Sequence, residues 1–453
     1  MVLKVNKKYK RVIQLEFNEI SADVVGQIIQ RHKTLKNFAK INHEWKFLHT
    51  SSEVEYDNIE PWIQWVTAHT GKELSEHGVF NLSDVHKLTH PQIWETLSEH
   101  GVESGIIGSM NTIRRNTSGG MFFSDPWSQS NETYPDEIKP LWSFIAAKVQ
   151  QHATTKLTFK ELLEAMRICR KIGLPRSLYV KVIRQVISQK LNPKTKWKLA
   201  GIFDLFLSEI FKSILKSTDY GFYTLFINAI AHYQHHYWRA FDSQYFNSAI
   251  KYSDIRQKDN PILFGYEIYD KIIGDILKIT AKDQDTLIII LSGLSQVPYT
   301  LQEDEGGMNY YRLNSHKNFA KMIGLNGTVY PMMSRDWQYK YESEEEHKAA
   351  LNILGSLTVN GQKLFILTES TPGYIYVETG YTKGVDRNTQ IELSGKSIGL
   401  FNDLFTNIAI KSGHHTGIGN LWISDLDAVD IPSGNTIALS EVYHLGINAL
   451  VQG

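Results

Sequence analysis

The sequence predicts an α/β fold in which a largely parallel sheet is covered by helices on both faces. Three short apolar runs carry that expectation: Val12 to Phe17, Gly105 to Ile107 and Thr286 to Leu291, each followed by a polar or Gly-containing turn. Helical patterns lie between them, and strands alternating with helices are the mark of a buried parallel sheet. The 453 residues are 42% hydrophobic, so about 190 side chains are available for a large core. Ligands of such sheets bind beyond the carboxyl ends of the strands. Those ends are Asn18-Glu19, Ser109-Met110-Asn111 and Ser292-Gly293-Leu294.

The remaining elements follow in chain order. Pro91 and Gly101 bracket a helix over Gln92 to His100. Thr158 and Glu161 make a capping-box pattern. Phe159, Leu162, Met166 and Cys169 then recur at helical spacing until Gly173-Leu174-Pro175 stops the run. Residues 137–217 read as mostly helical and look inserted between two parts of the sheet. The expected organisation is an α/β core over 1–136 and 218–453, with 137–217 as a helical insertion, either a lid or a scaffold bundle. Gly306-Gly307 and Asn326-Gly327 mark turns. Ser343 to His347 reads as a solvated helix start. Lys363 to Thr368 and Gly373 to Glu378 alternate like antiparallel strands or a hairpin. The apolar tail Ala438 to Val451 packs either on the sheet or on a second copy in a homo-oligomer.

Charge is balanced, with 48 basic against 48 acidic residues and 17 His, which argues against a general nucleic-acid binder. Cys169 is the one cysteine, so neither an intrachain disulfide nor a Cys-rich metal knuckle is available. The basic stretch Met1 to Arg11 leads only into Val12-Ile13, too short for a signal-peptide core. Leu287 to Leu291 is too short to span a bilayer. The expectation is a soluble, cytoplasmic protein with no membrane span.

There is no Walker-type phosphate loop, no G-x-G-x-x-G, no G-x-S-x-G elbow and no H-E-x-x-H helix. Two histidine clusters remain. His232, Gln234, His235 and His236 form the first, and a helix would put His232 and His236 on one face. His414 and His415 lie in a Gly-rich stretch where backbone approaches a ligand closely. Imidazoles are common metal ligands, but neither cluster supplies a carboxylate locally. Taken singly, each is more often a hydrogen-bonded structural histidine. Glu60 to Gly71, with His77-Gly78, is a third candidate stretch. Arg312, His316, Arg335 and Asp336 form a fourth; arginine forks suit phosphate, sulfate or carboxylate oxygens, and ordinary ion pairing is the alternative.

The order of these segments carries a resemblance. Val12 to Asp23 runs from a strand into an acidic turn. Trp65 to Gly78 ends Thr-Gly, five residues, His-Gly. Ile93 to Leu97 with Gly101 is the next helix, and Gln234 to Trp238 has the spacing Gln-His-x-x-Trp. Leu287 to Gly293 is the third strand. Ser412-Gly413-His414-His415 with Gly419 has the spacing Gly-x-His, three residues, Gly. Together they resemble the alkaline phosphatase superfamily, specifically its type I phosphodiesterase/nucleotide pyrophosphatase-like branch. That resemblance implies an α/β/α sandwich in which two divalent metals activate a Thr or Ser nucleophile.

Carried over position by position, the resemblance implies a degenerate metal site. The first-strand Asp falls on Asn18 and the nucleophile on Pro61. The Asp four residues before His235 falls on Ala231. The Asp and His after the third strand fall on Gly293 and Leu294. His235 and His415 are kept. Two imidazoles without a carboxylate would hold at most one divalent metal, zinc or manganese, weakly, so no cofactor is expected.

Three readings stay open. In the first, a repurposed enzyme acts on a phosphorylated, sulfated or glycosyl small molecule without the two-metal mechanism. Glu16, Asn18, Glu19, His235 and His415 are then its catalytic candidates, and Gln64, Arg312 and Arg335 bind a small anionic ligand. The second is a non-catalytic descendant that binds a ligand or partner. The third is a metal-dependent phosphodiesterase or sulfatase with relocated ligands.

Overall fold

The fold is seen in a computed structural model that describes every residue except 1–4, 54–58, 83, 116, 128–130, 151–158, 248, 251, 253, 333–334, 370–371, 431–433 and 452–453. At its centre is an eight-stranded sheet. From one edge to the other the strands are Thr436–Ala438, Lys46–Ser51, Ile418–Ile423, Thr286–Ser292, Arg11–Phe17, Phe222–Ile227, Ser104–Ile107 and Met121–Phe123. All are parallel except Ile418–Ile423, which runs antiparallel to both of its neighbours, Lys46–Ser51 and Thr286–Ser292. The three strands expected from apolar runs are all present. Phe222–Ile227 is buried at every position, as a strand covered on both faces must be.

Two cores sandwich this sheet. On one face Ile13, Leu15, Phe17, Leu225, Ile288 and Ile290 pack with helices that include Ala22–His32, Lys198–Ser217, Ala229–Phe241 and Pro261–Thr280. On the other, Val12, Phe222, Phe226, Leu287 and Leu291 pack with Pro61–Thr70, Ile93–Glu99 and Glu441–Leu450. Alternate residues of one strand thus feed opposite layers, giving the α/β/α sandwich. The tail expected to cover the sheet or another subunit covers the sheet, through Val442, Leu445 and Ala449.

Local signals explain the helix ends. Pro61 opens its helix at the first position and Gly71, in the left-handed region, closes it. Gln92 and Glu95 cap each other's backbone at the start of Ile93–Glu99. Within 137–217 the helices are Lys139–Gln150, Phe159–Lys171, Arg176–Leu191 and Lys198–Ser217. The first half of the expected capping pair, Thr158, lies outside the described residues. Ser343 caps Glu344–Gly355 through the Glu346 N–H.

Residues 309–405 build a second, smaller core around Tyr311, Phe319, Trp337, Tyr339 and Phe401, between two four-stranded sheets. Phe365–Thr368 and Tyr374–Thr379 pair antiparallel there, as the alternation predicts. The chain then re-enters the main body through Gly413–Thr416, which pairs with Ser295–Pro298.

Candidate metal centre at the strand ends

Three segments converge beyond the carboxyl ends of the central strands. The first is the turn after Arg11–Phe17. Glu19 has φ 58° there, a left-handed conformation that is uncommon outside glycine and asparagine. The turn directs the Glu19 carboxylate toward the histidines, while Asn18 faces the helix Pro61–Thr70 and accepts a 2.8 Å hydrogen bond from Trp65 Nε1. Asn18 Nδ2 in turn donates to Glu19 Oε1 at 3.0 Å and to Asn228 Oδ1 at 2.7 Å.

The second segment is the helix Ala229–Phe241, whose start is fixed by Asp204. That buried carboxylate accepts from the Ala229 N–H at 2.7 Å, the Asn228 N–H at 3.2 Å and Tyr269 OH at 2.8 Å. Gln234 Nε2 donates to the Glu19 carbonyl at 2.8 Å and Tyr266 OH donates to Gln234 Oε1 at 2.9 Å, so helix and turn are tied together. The third segment is the strand Gly413–Thr416. Ser412 N–H donates to the His235 carbonyl at 2.8 Å, and Trp238 N–H donates to Ser412 Oγ at 3.0 Å.

The result is a compact donor set. Glu19 Oε2 lies 3.2 Å from His235 Nε2 and 3.3 Å from His415 Nε2, and the two Nε2 atoms are 3.1 Å apart. Glu19, His235 and His415 form the one such group of metal-capable side chains among the described residues. Their donor atoms make a nearly equilateral triangle. A tetrahedral ion with ligands at about 2.0–2.1 Å needs donors roughly 3.3–3.4 Å apart, so the residues fit a zinc-sized cation. The carboxylate is 2% exposed, whereas the imidazoles are 25% and 16% exposed, leaving one side of the triangle open.

The two histidine clusters supply no carboxylate locally, but Glu19, one of the sequence candidates, brings one to them from the first strand's turn. The first-strand position does hold Asn18, but the next residue supplies the acid. Counting positions cannot reveal this, because it depends on the handedness of the turn. Gln296, two residues beyond Leu294, also donates to Glu19 Oε2 and reaches the Ala231 carbonyl at 3.0 Å. Sequence reasoning missed Gln296; its only signal is its place just after the third strand.

Electrostatics within the set are strongly coupled. Burial opposes ionisation of Glu19, but the charges and hydrogen bonds of His415 and His235 outweigh it and hold the carboxyl well below its usual range. Burial lowers His415, yet Glu19 and Glu60 override this and push it up to about 9. His235 is lowered by burial. Glu60 Oε2 stands 3.8 Å from His415 Nδ1. Burial raises Glu60 to about 7, with Glu19, Asp336 and Glu378 adding to the effect and His415 opposing it. The Ile59 carbonyl adds to that rise in His415.

The other predicted residues sit further out. Glu16 is fully buried and pairs with His69 at 2.9 Å, with Gln14 Nε2 donating to the same oxygen at 3.0 Å. It therefore engages the helix Pro61–Thr70 instead of His235 or His415. Gln64 is buried beside Gly293. Arg335 pairs with Glu378 through its guanidinium and lies 4.3 Å from the Tyr310 ring centre. Arg312 lies on the strand Asn309–Leu313, where burial pulls it down to about 10 against the attraction of Asp336. Lys411, not singled out from sequence, faces Glu60, Glu378 and Arg335, and burial lowers it. His232 and His236 share a helix face as predicted, with ring centres 4.8 Å apart.

No protein-family model matches the chain, and no curated protein matches it. Solved structures do. Phosphonoacetate hydrolase from Sinorhizobium meliloti 1021, in complex with phosphonoformate, is 10% identical at a TM-score of 0.44, with 99% of each chain covered. Thermus thermophilus alkaline phosphatase is 11% identical at a TM-score of 0.44, covering 99% of this chain and 92% of its own. Murine ectonucleotide pyrophosphatase/phosphodiesterase 5 is 11% identical at a TM-score of 0.38, covering 97% and 94%.

Proposed function

We propose that the chain is a hydrolase of phosphate or sulfate esters that works with one divalent cation instead of two. The observation that carries this reading is the donor triangle of Glu19, His235 and His415, with edges of 3.1–3.3 Å and one open side. Two imidazoles and one carboxylate suit zinc, or manganese with added water ligands. When bound, such a cation supplies Lewis-acid polarisation of a phosphoryl or sulfuryl oxygen.

The protein's own groups have separable roles in this reading. Gln296 and Asn18 hold the Glu19 carboxylate, each through one hydrogen bond. Glu60 stands beside His415 and is the residue placed to take a proton from an attacking water. Water is the nucleophile assigned here because the next residue, Pro61, has no hydroxyl. Lys411 and Arg335 are the cations on the neighbouring wall that an anionic substrate would meet, Arg335 already held by Glu378. Arg312, near Asp336, is a further cation that an anionic ligand could meet.

The test is metal analysis of the purified protein, followed by turnover of 4-nitrophenyl phosphate, bis(4-nitrophenyl) phosphate and 4-nitrophenyl sulfate with zinc or manganese supplied. One ion per chain with turnover of one ester supports the reading. A tightly held ion without any turnover favours the binding-only alternative. Two ions per chain would reinstate the two-metal mechanism. Glu19→Gln is expected to lose both ion and turnover.

A further inference from the structure

The helical block carries a feature that the metal centre does not use. Between Ala165 and Phe203 the chain has ten basic residues, Arg167, Arg170, Lys171, Arg176, Lys181, Arg184, Lys190, Lys194, Lys196 and Lys198, and no Asp or Glu. The whole protein, by contrast, is balanced at 48 against 48. One exposed helix, Arg176–Leu191, lies in the middle of this segment.

That helix is apolar on two sides. Its inner side is anchored through Leu178, which is buried in the main core, and through Gln185, whose amide donates to the Thr195 carbonyl. Its outer side shows Val180, Ile183, Ile187 and Leu191, which are 44%, 48%, 52% and 82% exposed. At 3.6 residues per turn these four fall within an arc of about 80°, and they run about 16 Å along the axis. Arg176, Arg184 and Lys190 are all exposed and project from the same outer half, and exposed Lys181 lies on the flank beside it. The pattern is an aliphatic ridge fringed by cations.

We propose that this face docks on an anionic lipid surface, lying in the interface plane. Charge complementarity is the first argument: cationic fringes beside a narrow aliphatic stripe are what a negatively charged leaflet attracts and holds. The composition is the second. The ridge contains only Val, Ile and Leu, while protein interfaces favour Tyr, Trp, Phe and Met at their centres and disfavour Lys. The shape is the third, because a convex helix face needs no matching groove when it meets a flat layer. No spanning segment is required, and among the described residues no helix is long and apolar enough to cross a membrane.

The test is sedimentation of the full-length protein with vesicles of phosphatidylcholine alone and of phosphatidylcholine mixed with phosphatidylserine. Binding to the mixed vesicles is expected, with a loss of roughly tenfold or more in affinity when salt is raised or when Arg184→Gln and Lys190→Gln are combined. Ile183→Asp with Ile187→Asp is expected to abolish sedimentation while the circular dichroism spectrum stays that of the parent. Should the aspartate pair disturb folding, the glutamine pair decides. Equal binding to both vesicles, or to neither, overturns the proposal. So does a change of oligomeric mass in the aspartate pair, which would mark the ridge as a contact between copies. Capture of polyglutamate in place of vesicles overturns it in favour of an acidic protein partner.

Discussion

The Nε2 atoms of His235 and His415 stand 3.1 Å apart although 180 positions separate the residues in sequence. Two imidazoles so close share one proton or one cation. Replacing either by alanine leaves two donors where three converge. Each variant is expected to lose at least the roughly 10–100-fold in zinc affinity that removal of an outer-shell partner costs. Competition with a chromophoric chelator measures it.

Glu60 touches the set without belonging to the triangle. Glu60→Gln keeps size and shape but removes a proton acceptor. Bound zinc should stay at the parental ratio while kcat falls about 10²–10⁴-fold, the usual contribution of a positioned acid–base group. Parallel metal analysis and ester turnover separate the two effects.

Gly413 lies two residues before His415 on its strand. A Cβ there would run into the Gln234 carbonyl, Gln296 Oε1 and the Trp238 indole nitrogen. Gly413→Ala should therefore push Gln296 off Glu19 and weaken the ion site together with the fold. Lowered zinc occupancy and a lowered Tm are the joint readout; retention of both would show that the strand can shift without cost.

Asp204 holds the start of the helix that carries His235. Asp204→Ala strands two backbone N–H groups and the Tyr269 hydroxyl, and is expected to destabilise the protein by about 2–4 kcal/mol. Denaturant unfolding followed by tryptophan fluorescence checks the value.

His77 makes the fold acid-sensitive. It is 4% exposed, its Nδ1 accepts the Val79 N–H at 3.1 Å, and burial lowers its pKa to about 4. The unfolded chain takes up that proton near pH 6.5, the folded one only near pH 4, so stability is fully present above the higher value and declines between them as pH falls. The loss amounts to roughly 3 kcal/mol. The fall of Tm across this range should be smaller in His77→Gln, with His232 and His316 carrying the remainder.

Much of the fold is legible in the sequence. The runs at Val12, Gly105 and Thr286 reveal the sheet because a short, continuous apolar run bounded by turns suits a strand buried on both faces. Ile418–Ile423 escapes because Gly419 and Asn420 break its pattern; the Asn420 amide donates to the Ile20 carbonyl at 2.8 Å, a pairing no local window contains. His235, His415 and Glu19 stand out by their spacing and their place at strand ends. What stays hidden is that Glu19 and not Asn18 points toward the histidines, since one left-handed φ value decides it. Gln296 and Lys411 are equally hidden, because a polar residue in a loop acquires meaning only from what folds against it.

The antiparallel strand Ile418–Ile423 wedges between Lys46–Ser51 and Thr286–Ser292, both made much earlier in the chain, and it delivers His415 as it does so. A nascent chain that has not yet emerged past this point lacks the last donor, however well its amino-terminal half has condensed. Closing so wide a loop is an entropic toll met only once the sheet is complete. Capture of an ion would therefore timestamp the end of maturation, and truncated or stalled chains would remain metal-blind.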